Sequence, residues 1–299
     1  MTTAFLKQLS SLLDNTQLLT DPADCRVYGY DNSTLQGQPM AVAFPDSHQQ
    51  VVSIVRACRK HRIALIARGQ GTGTTGATVP GAGDPTLILS LQRMRKILAL
   101  NPDNRLMVVE PGVTNQEVQT AAEASGFFWP PDPTSAAVCT IGGNLAYNSA
   151  GPRAVKYGTP RENTLGLRAV TGAGDVLKTG VSTTKGVVGY DLTRLLIGSE
   201  GTLAIITEAT LKLTPLAETR RTLSASYSSI HAAARAVAAI MAQPVTPYAL
   251  EFMDRQALEM VRNFSSIDLP DTIGAMLIIE VDGMNDDIGE ALKRVAAAA

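Results

Sequence analysis

The segment ARGQGTGTTGATVPG, residues 67–81, concentrates residue types that bind phosphate groups. Gly71, Gly73 and Gly76 follow a predicted strand with the G-x-G-x-x-G spacing of a dinucleotide-binding turn. Such a turn opens a helix, but this chain continues into Pro80 and further Gly and Pro residues, which a helix does not tolerate. Glycine can aim successive N–H groups in one direction without a helix, so we predict an anion-binding nest. For this motif alone, a solvated glycine loop is the competing interpretation.

Three later segments carry residues suited to a flavin nucleotide. PPDPTS at 130–135 predicts a stiff turn with a carboxylate and two hydroxyls. TIGGNLAYNSAG at 140–151 predicts turns whose glycines let the backbone approach a planar ligand. GSEGTLAIIT at 198–207 combines a turn with a strand whose two isoleucines could cover a ring. Ordinary surface turns and a plain buried strand are the competing interpretations of each segment taken separately.

Strands and helices alternate around these segments. Apolar alternation and helical spacing predict strands at 41–45, 63–67, 87–91, 96–100 and 105–112, with helices at 47–61 and 114–125. The first helix places Cys58 on its buried face. The span 127–164, rich in Pro, Gly, Asn and Ser, predicts a long binding loop without regular structure. A hairpin at 165–180 and one or two strands within 202–215 follow.

The pattern changes after Glu218. It predicts a second region with strands near 222–227, 248–253 and 274–282, helices at 229–242 and 254–264, and a final helix. We interpret this region as a split βαββαβ unit. A chain of 299 residues suits two such domains better than one core.

Composition limits the classes of function. With 45% hydrophobic residues and a net charge of −1, the chain is typical of a globular protein and gives no basic surface for nucleic acid. Its first residues predict an amphipathic helix and not a signal peptide, and no stretch has the roughly 20 consecutive apolar residues of a membrane helix, so we expect a cytoplasmic protein, with peripheral membrane association left open. The scattered Cys25, Cys58 and Cys139 argue against disulfides or a zinc site. His48, His61 and His231 are expected to be solvated helix residues.

In order and spacing, these segments resemble the FAD-binding domain of the vanillyl-alcohol oxidase superfamily, in its D-lactate, glycolate and D-2-hydroxyglutarate dehydrogenase branch. RGQGTGTTGA resembles the pyrophosphate loop of that family, TIGGNLAYNSAG its second flavin-contacting loop, and GYDLTRLLIGSEGTLAIITEATLKLTP its closing signature. ALEFMDRQAL at 249–258 resembles the start of the cap domain. The resemblance implies an α+β fold with a two-subdomain FAD-binding domain of the PCMH/VAO type and a partial α+β cap. The expected domains are a helical arm at 1–37, the FAD-binding domain at 38–216 and the cap at 217–299.

The resemblance also implies the cofactor site. Non-covalent FAD is expected to contact the following residues: Arg68, Gly69, Gln70, Gly71, Thr72, Gly73, Thr74, Thr75, Gly76, Ala77, Pro131, Asp132, Pro133, Thr134, Ser135, Thr140, Gly142, Gly143, Asn144, Ala146, Asn148, Glu200, Gly201, Ile205 and Ile206. Ala204 departs from the glycine usual in the family, and we expect ordinary backbone angles to accommodate it.

The implied activity is oxidation of a small D-2-hydroxy acid, similar to lactate or glycolate, by hydride transfer to flavin N5. The implied partners are that substrate, an electron acceptor and further subunits of a dehydrogenase complex. The family's His-rich GDGN-type motif, which carries a catalytic base and often a metal site, has no match here, so we expect a truncated cap and assign no catalytic or metal-binding residue. A non-catalytic FAD-binding or assembly subunit is the alternative. A related enolpyruvyl reductase is disfavoured by the ALEFMD segment.

Overall fold

The computed structural model describes residues 2–265, 269–270 and 272–299. It divides into two compact units. Unit 1 comprises Met1–Ala150 and Thr159–Thr214, and unit 2 comprises Gly151–Gly158 and Pro215–Ala299. The division near residue 214 lies within two residues of the expected start of the cap.

The described residues contain ten helices and fourteen strands. The helices are α1 (Thr2–Leu12), α2 (Pro22–Arg26), α3 (His48–His61), α4 (Asn115–Glu123), α5 (Ile141–Tyr147), α6 (Ala154–Tyr157), α7 (Leu192–Leu196), α8 (Ile230–Ala242), α9 (Arg255–Phe264) and α10 (Ile288–Ala298). The strands are β1 (Leu18–Leu19), β2 (Ala41–Ala43), β3 (Ala64–Arg68), β4 (Thr86–Ser90), β5 (Ile97–Asn101), β6 (Leu106–Val109), β7 (Phe127–Phe128), β8 (Thr164–Thr171), β9 (Val176–Gly180), β10 (Ala204–Lys212), β11 (Thr214–Pro215), β12 (Thr219–Tyr227), β13 (Ala249–Asp254) and β14 (Ala275–Gly283).

The first sheet of unit 1 has the order β1-β2-β4-β3, and β2, β4 and β3 are parallel. The predicted helix α3 makes the crossover from β2 to β3. It begins after Ser47, whose backbone is extended, and ends at Arg62, whose φ of 54° stops the helical turn. As predicted, Cys58 lies on its buried face.

The N-terminal residues belong to this part of the molecule. Phe5 and Leu9 of α1 are fully buried in the same hydrophobic core as α3. The residues expected to form an N-terminal helical arm pack within unit 1, because the apolar face of α1 lies against α3 and is buried there.

The second sheet of unit 1 has the antiparallel order β5-β6-β10-β8-β9. Its hairpin β8-β9 and the central strand β10 agree with the predicted strands. Trp129, Ile141 and Leu145 are fully buried against one face of this sheet. The register of β10 against β8 shifts between Ile206 and Glu208.

The prediction of a structureless span at 127–164 is wrong. Residues 141–147 form the helix α5, which begins with Thr140 as its cap. The Thr140 hydroxyl accepts a hydrogen bond from the Gly143 N–H at 3.4 Å, and the buried Ile141 and Leu145 anchor the helix in the core. The two adjacent glycines lower the local helix propensity, so the sequence pattern did not predict this helix.

Unit 2 contains a three-stranded antiparallel sheet in the order β12-β14-β13. The predicted βαββαβ order is wrong, since the described elements run β12-α8-β13-α9-β14-α10. Helices α8 and α10 share a hydrophobic core with this sheet.

Helix α6 also belongs to unit 2, which the sequence did not indicate. Lys156 forms an ion pair with the buried Asp282, and the Tyr157 hydroxyl donates a hydrogen bond to Asp282 Oδ2 at 2.6 Å. Burial and the neighbouring Asp282 carboxylate raise the pKa of Tyr157. These contacts tie the short segment 151–158 to strand β14.

The prediction of a solvated helix residue is wrong for His48. Its Nδ1 lies 2.8 Å from the Thr207 hydroxyl, which donates its own proton to the Arg168 carbonyl, so Nδ1 carries the hydrogen. The other ring nitrogen, Nε2, is buried and has no hydrogen-bond partner among the described residues. Burial, and after it the charge of Arg168, lower the pKa of His48, while Glu208 opposes them.

We predict that His48 makes unit 1 less stable in mild acid. Because its pKa in the folded protein is lower than the unfolded value of about 6.5, the unfolded chain takes up the proton first as pH falls. The contribution of neutral His48 to the free energy of unfolding is therefore complete above the unfolded pKa. It is lost as pH falls from there towards the folded pKa. The unfolding temperature, measured between pH 7.5 and 5.5, should fall less for His48→Asn than for the unmodified chain. His231→Asn, at an exposed position on α8, is the control and should keep the original slope. Equal slopes for all three proteins would contradict the assignment.

Candidate functional site

A partly open cavity lies in unit 1 between the glycine loop, helix α5 and the start of β10. The glycine loop is the connection at 69–85 between β3 and β4, and as predicted no helix begins in it. The predicted site residues that line the cavity are Arg68, Gly69, Ala77, Thr140, Gly142, Gly143, Ala146, Glu200, Gly201, Ile205 and Ile206.

The other predicted site residues lie outside this lining: Gln70, Gly71, Thr72, Gly73, Thr74, Thr75, Gly76, Pro131, Asp132, Pro133, Thr134, Ser135, Asn144 and Asn148. Two of them, Pro131 and Asn144, make interior contacts instead. The Asn115 side chain on α4 donates to the Pro131 carbonyl at 3.0 Å and to Asn144 Oδ1 at 3.2 Å. Asn148 has a φ of 55° and accepts from the Arg161 N–H at 3.2 Å. Contact of these residues with the cofactor stays a prediction.

Sequence reasoning assigned no individual cofactor contact to the other lining residues: Ala67, Thr78, Leu91, Pro111, Tyr147, Leu196, Ser199 and Ala204. Tyr147 lay inside a segment already assigned to the cofactor, where an aromatic ring four residues after Gly143 was the available signal. Leu91 and Pro111 follow the strands β4 and β6 and gave no local sign of their role.

The glycines of α5 allow its backbone to lie directly on the chain after β6. The Gly142 N–H donates to the Pro111 carbonyl at 2.8 Å, and a Cβ on Gly142 would lie 2.6 Å from the Pro111 side chain. A Cβ on Gly69 would likewise lie 2.5 Å from the Thr140 hydroxyl. Glycine is therefore required at both positions by close packing and not by backbone angle.

A buried cation supports the glycine loop. Arg68 is only 7% exposed, and its Nη1 donates to the Tyr30 carbonyl at 2.8 Å. Gly71 has a φ of 68°, and a Cβ there would overlap the Arg68 guanidinium. Burial lowers the pKa of Arg68, and the nearby Asp31 carboxylate opposes that shift. The cavity therefore has one buried positive charge in its wall beside the loop.

A chain of hydroxyl contacts joins the glycine loop to the opposite side of the cavity. The Thr75 hydroxyl lies 2.9 Å from the Tyr147 hydroxyl and 3.3 Å from Glu200 Oε2. Glu200 has a φ of 51°, which non-glycine residues rarely adopt, and its N–H donates to the Ala146 carbonyl at 2.9 Å. Such backbone strain concentrates at ligand sites.

Apolar side chains at the start of β10 complete the lining. Ile205 and Ile206 are 8% and 6% exposed, and both contact the cavity. Ala204 lies between them and the turn, and it is not among the residues with positive φ, as expected for an accommodated alanine. The site thus combines a buried cation and close backbone approach with apolar walls, which fits the phosphate and ring portions of a flavin nucleotide.

Comparison with known proteins agrees with this geometry. Residues 39–180 match the FAD binding domain family, and residues 216–299 match the C-terminal domain of FAD linked oxidases. This chain belongs to the FAD-linked oxidase family. FAD is accordingly its cofactor, and the α+β fold is confirmed.

Relatives of this FAD-linked oxidase share its sequence along most of its length. It is 41% identical over 272 residues to the glycolate oxidase subunit GlcD of Bacillus subtilis, covering 91% of this chain and 57% of that protein. It is 36% identical to the D-2-hydroxyglutarate dehydrogenase of Xanthomonas citri, covering 87% of this chain and 55% of that protein. It is 32% identical to the D-lactate dehydrogenase of Archaeoglobus fulgidus, covering 97% of this chain and 64% of that protein. The chain therefore spans somewhat more than half the length of these relatives.

Solved structures share the fold. An alkyldihydroxyacetonephosphate synthase aligns with a TM-score of 0.83 and 22% identity, covering 99% of this chain and 59% of that one. The p-cresol methylhydroxylase structure aligns with a TM-score of 0.81 and 17% identity, covering 99% and 63%. At these identities the likeness concerns the fold alone.

We predict that Gly73→Val reduces flavin retention strongly. A Cβ at Gly73 would overlap the phenol ring of Tyr147, so the substitution displaces either the loop or the ring from the cavity. Flavin bound per chain after purification is the measurement. Gly81→Val is the matched control in the same loop, because nothing lies within 4 Å of a Cβ there, and it should retain flavin normally. Equal flavin content in the two variants would argue against this loop as part of the site.

We also predict that the FAD dissociates on denaturation. Cys139 is buried, its Sγ lies 3.6 Å from Asn144 Oδ1, and neither Cys nor His occurs among the described residues of the cavity lining. Acid precipitation should release the yellow colour into the supernatant. Colour that stays with the pellet, and is lost in Cys139→Ala, would reveal a covalent bond.

Proposed function

We propose that this protein oxidises a small D-2-hydroxy acid, similar to lactate or glycolate, with FAD as the immediate electron acceptor. When bound, FAD supplies a hydride acceptor at its N5 atom for the hydrogen on the hydroxyl-bearing carbon. The observation that carries the proposal is the cavity, whose walls are built largely from the segments predicted to hold a flavin. The relatives named for glycolate, D-lactate and D-2-hydroxyglutarate support the substrate class.

In this proposal the residues of unit 1 bind and orient the cofactor. Arg68 supplies a fixed positive charge beside the glycine loop, which favours a diphosphate over a neutral ligand. Ile205 and Ile206 exclude water from the apolar wall, and Gly142 brings the backbone of α5 to the cavity surface. The low dielectric of a site without water strengthens each such polar contact.

The proton of the substrate hydroxyl needs a base. The ionisable side chains among the described lining residues are Arg68, Tyr147 and Glu200, and we assign the role to none of them.

A second candidate function follows from the lack of an assigned base: a non-catalytic FAD-binding or assembly subunit. The GlcD relatives of Bacillus subtilis and Escherichia coli are both named as oxidase subunits, which favours partner subunits for this protein under either candidate. None of the helices that the structure describes is long and apolar enough to cross a membrane.

The two candidates are separated by an anaerobic bleaching experiment. We predict that the chain reconstituted with FAD loses its visible flavin absorbance on addition of D-lactate, glycolate or D-2-hydroxyglutarate. L-lactate is the control and should leave the spectrum unchanged. Bound flavin that none of these acids reduces, although dithionite does, would contradict the oxidase and support the non-catalytic subunit.

A further inference from the structure

The glycine loop is bounded on its outer side by residues 28–35, here called the N-terminal segment. The Asn32 N–H donates to the Gly73 carbonyl at 3.0 Å, and the Asn32 side chain donates to the Thr72 carbonyl at 3.4 Å. A Cβ on Gly76 would lie 2.6 Å from the Leu35 side chain. The segment thus contacts the loop along the stretch that carries its glycines, although the match to the FAD binding domain family begins only at residue 39.

A second set of contacts passes beneath the loop. Arg68 Nη1 donates to the Thr78 hydroxyl at 3.2 Å, and that hydroxyl donates to Asp31 Oδ2 at 3.2 Å. Because threonine has a single hydroxyl proton, the two bonds are compatible only in this direction, and they form a relay from guanidinium to carboxylate. All three residues are less than 9% exposed. The Asp31 carboxylate is held in turn by the Ser33 N–H at 2.8 Å.

The relay orders the two buried charges. Arg68 and Thr78 line the cavity, whereas Asp31 does not, so the cation faces the ligand and the carboxylate lies behind it. The same guanidinium occupies the space next to Gly71, the residue of the loop with a φ of 68°. Fixing Arg68 therefore fixes both the positive charge and the backbone turn.

We propose that the N-terminal segment is part of the cofactor site, and that Asp31 and Thr78 are positioning residues that hold Arg68 and the glycine loop in their diphosphate-binding arrangement. The proposal rests on the assignment of FAD to this cavity. A glycine loop without a helix has no hydrogen-bonded repeat to fix its shape, so its conformation has to be held by contacts from outside.

Thr78→Val tests the relay, because it removes the hydroxyl and keeps the side-chain shape. Flavin fluorescence titration of the apoprotein should show roughly tenfold weaker binding of FAD, the loss expected for a buried hydrogen bond to a charged group. ADP, measured by calorimetry, should weaken to a similar extent, whereas riboflavin, which lacks phosphate, should not. Thr78→Ser keeps the hydroxyl and should restore FAD binding. Thr86→Val is the control, since it removes another buried hydroxyl, which among the described residues bonds the Asp84 carbonyl and is not part of the cavity lining.

Hydrogen exchange of the apoprotein tests the same point without a ligand. Thr78→Val and Asp31→Asn should speed exchange of the amides at 70–76, and Thr86→Val should not. Asn32→Ala alters only an exposed side chain and should speed exchange near Thr72 without lowering the unfolding temperature.

Failure of the cofactor assignment and failure of this proposal give different results. Absence of FAD binding by the unmodified chain would refute the cofactor assignment, while the exchange data would still decide the role of the relay. Normal FAD affinity and normal exchange in Thr78→Val would overturn the proposal, as would equal weakening of FAD and riboflavin.

Discussion

The cavity proposed to hold the cofactor depends on a loop that must keep its shape without the hydrogen bonds of a helix. In a Rossmann turn the following helix fixes the glycine backbone and supplies the N–H groups. Here the connection from β3 to β4 contains no helix, so its glycines are held by side chains from outside the loop. Arg68 lies beneath Gly71 and Tyr147 lies against Gly73. Each contact also excludes any side chain larger than hydrogen at that glycine, which explains the residue type.

The cavity lies where two hydrophobic cores of unit 1 separate. Successive residues of a strand point to opposite faces of a sheet, and β10 uses both faces. Ile205 packs with the core around α3, whereas Ile206 packs with the core around α5. Both side chains also contact the cavity. One strand thus connects the two subdomains and forms the apolar wall between them. A change in the packing of either core therefore alters a side chain that lines the cavity.

Charge is distributed sparingly around this site. Arg68 is the buried cation of the described lining, and Glu200 is the carboxylate. Glu200 lies within reach of the Thr75 hydroxyl, and Asp31 stands behind Thr78. A dry, apolar setting strengthens the field of a fixed cation at short range. In the proposed site, selection of a dinucleotide over an uncharged flavin would therefore rest on few residues, because the apolar wall contacts both ligands alike.

Local sequence determined much of the fold. Apolar periodicity located α3, the turn signal located the hairpin β8-β9, and glycine and proline residues indicated the non-helical glycine loop, while ordered motifs identified the FAD-linked oxidase family. Tertiary structure alone decided the rest. Helix α5 forms although two glycines lower its local propensity, because Ile141 and Leu145 anchor it in the core, and Gly142 is needed where its backbone lies against Pro111. The pairing of Asp31 with Arg68 through Thr78, and of segment 151–158 with Asp282, joins residues far apart in sequence. Such contacts leave no periodic signal, because they depend on where the folded chain brings buried polar groups together.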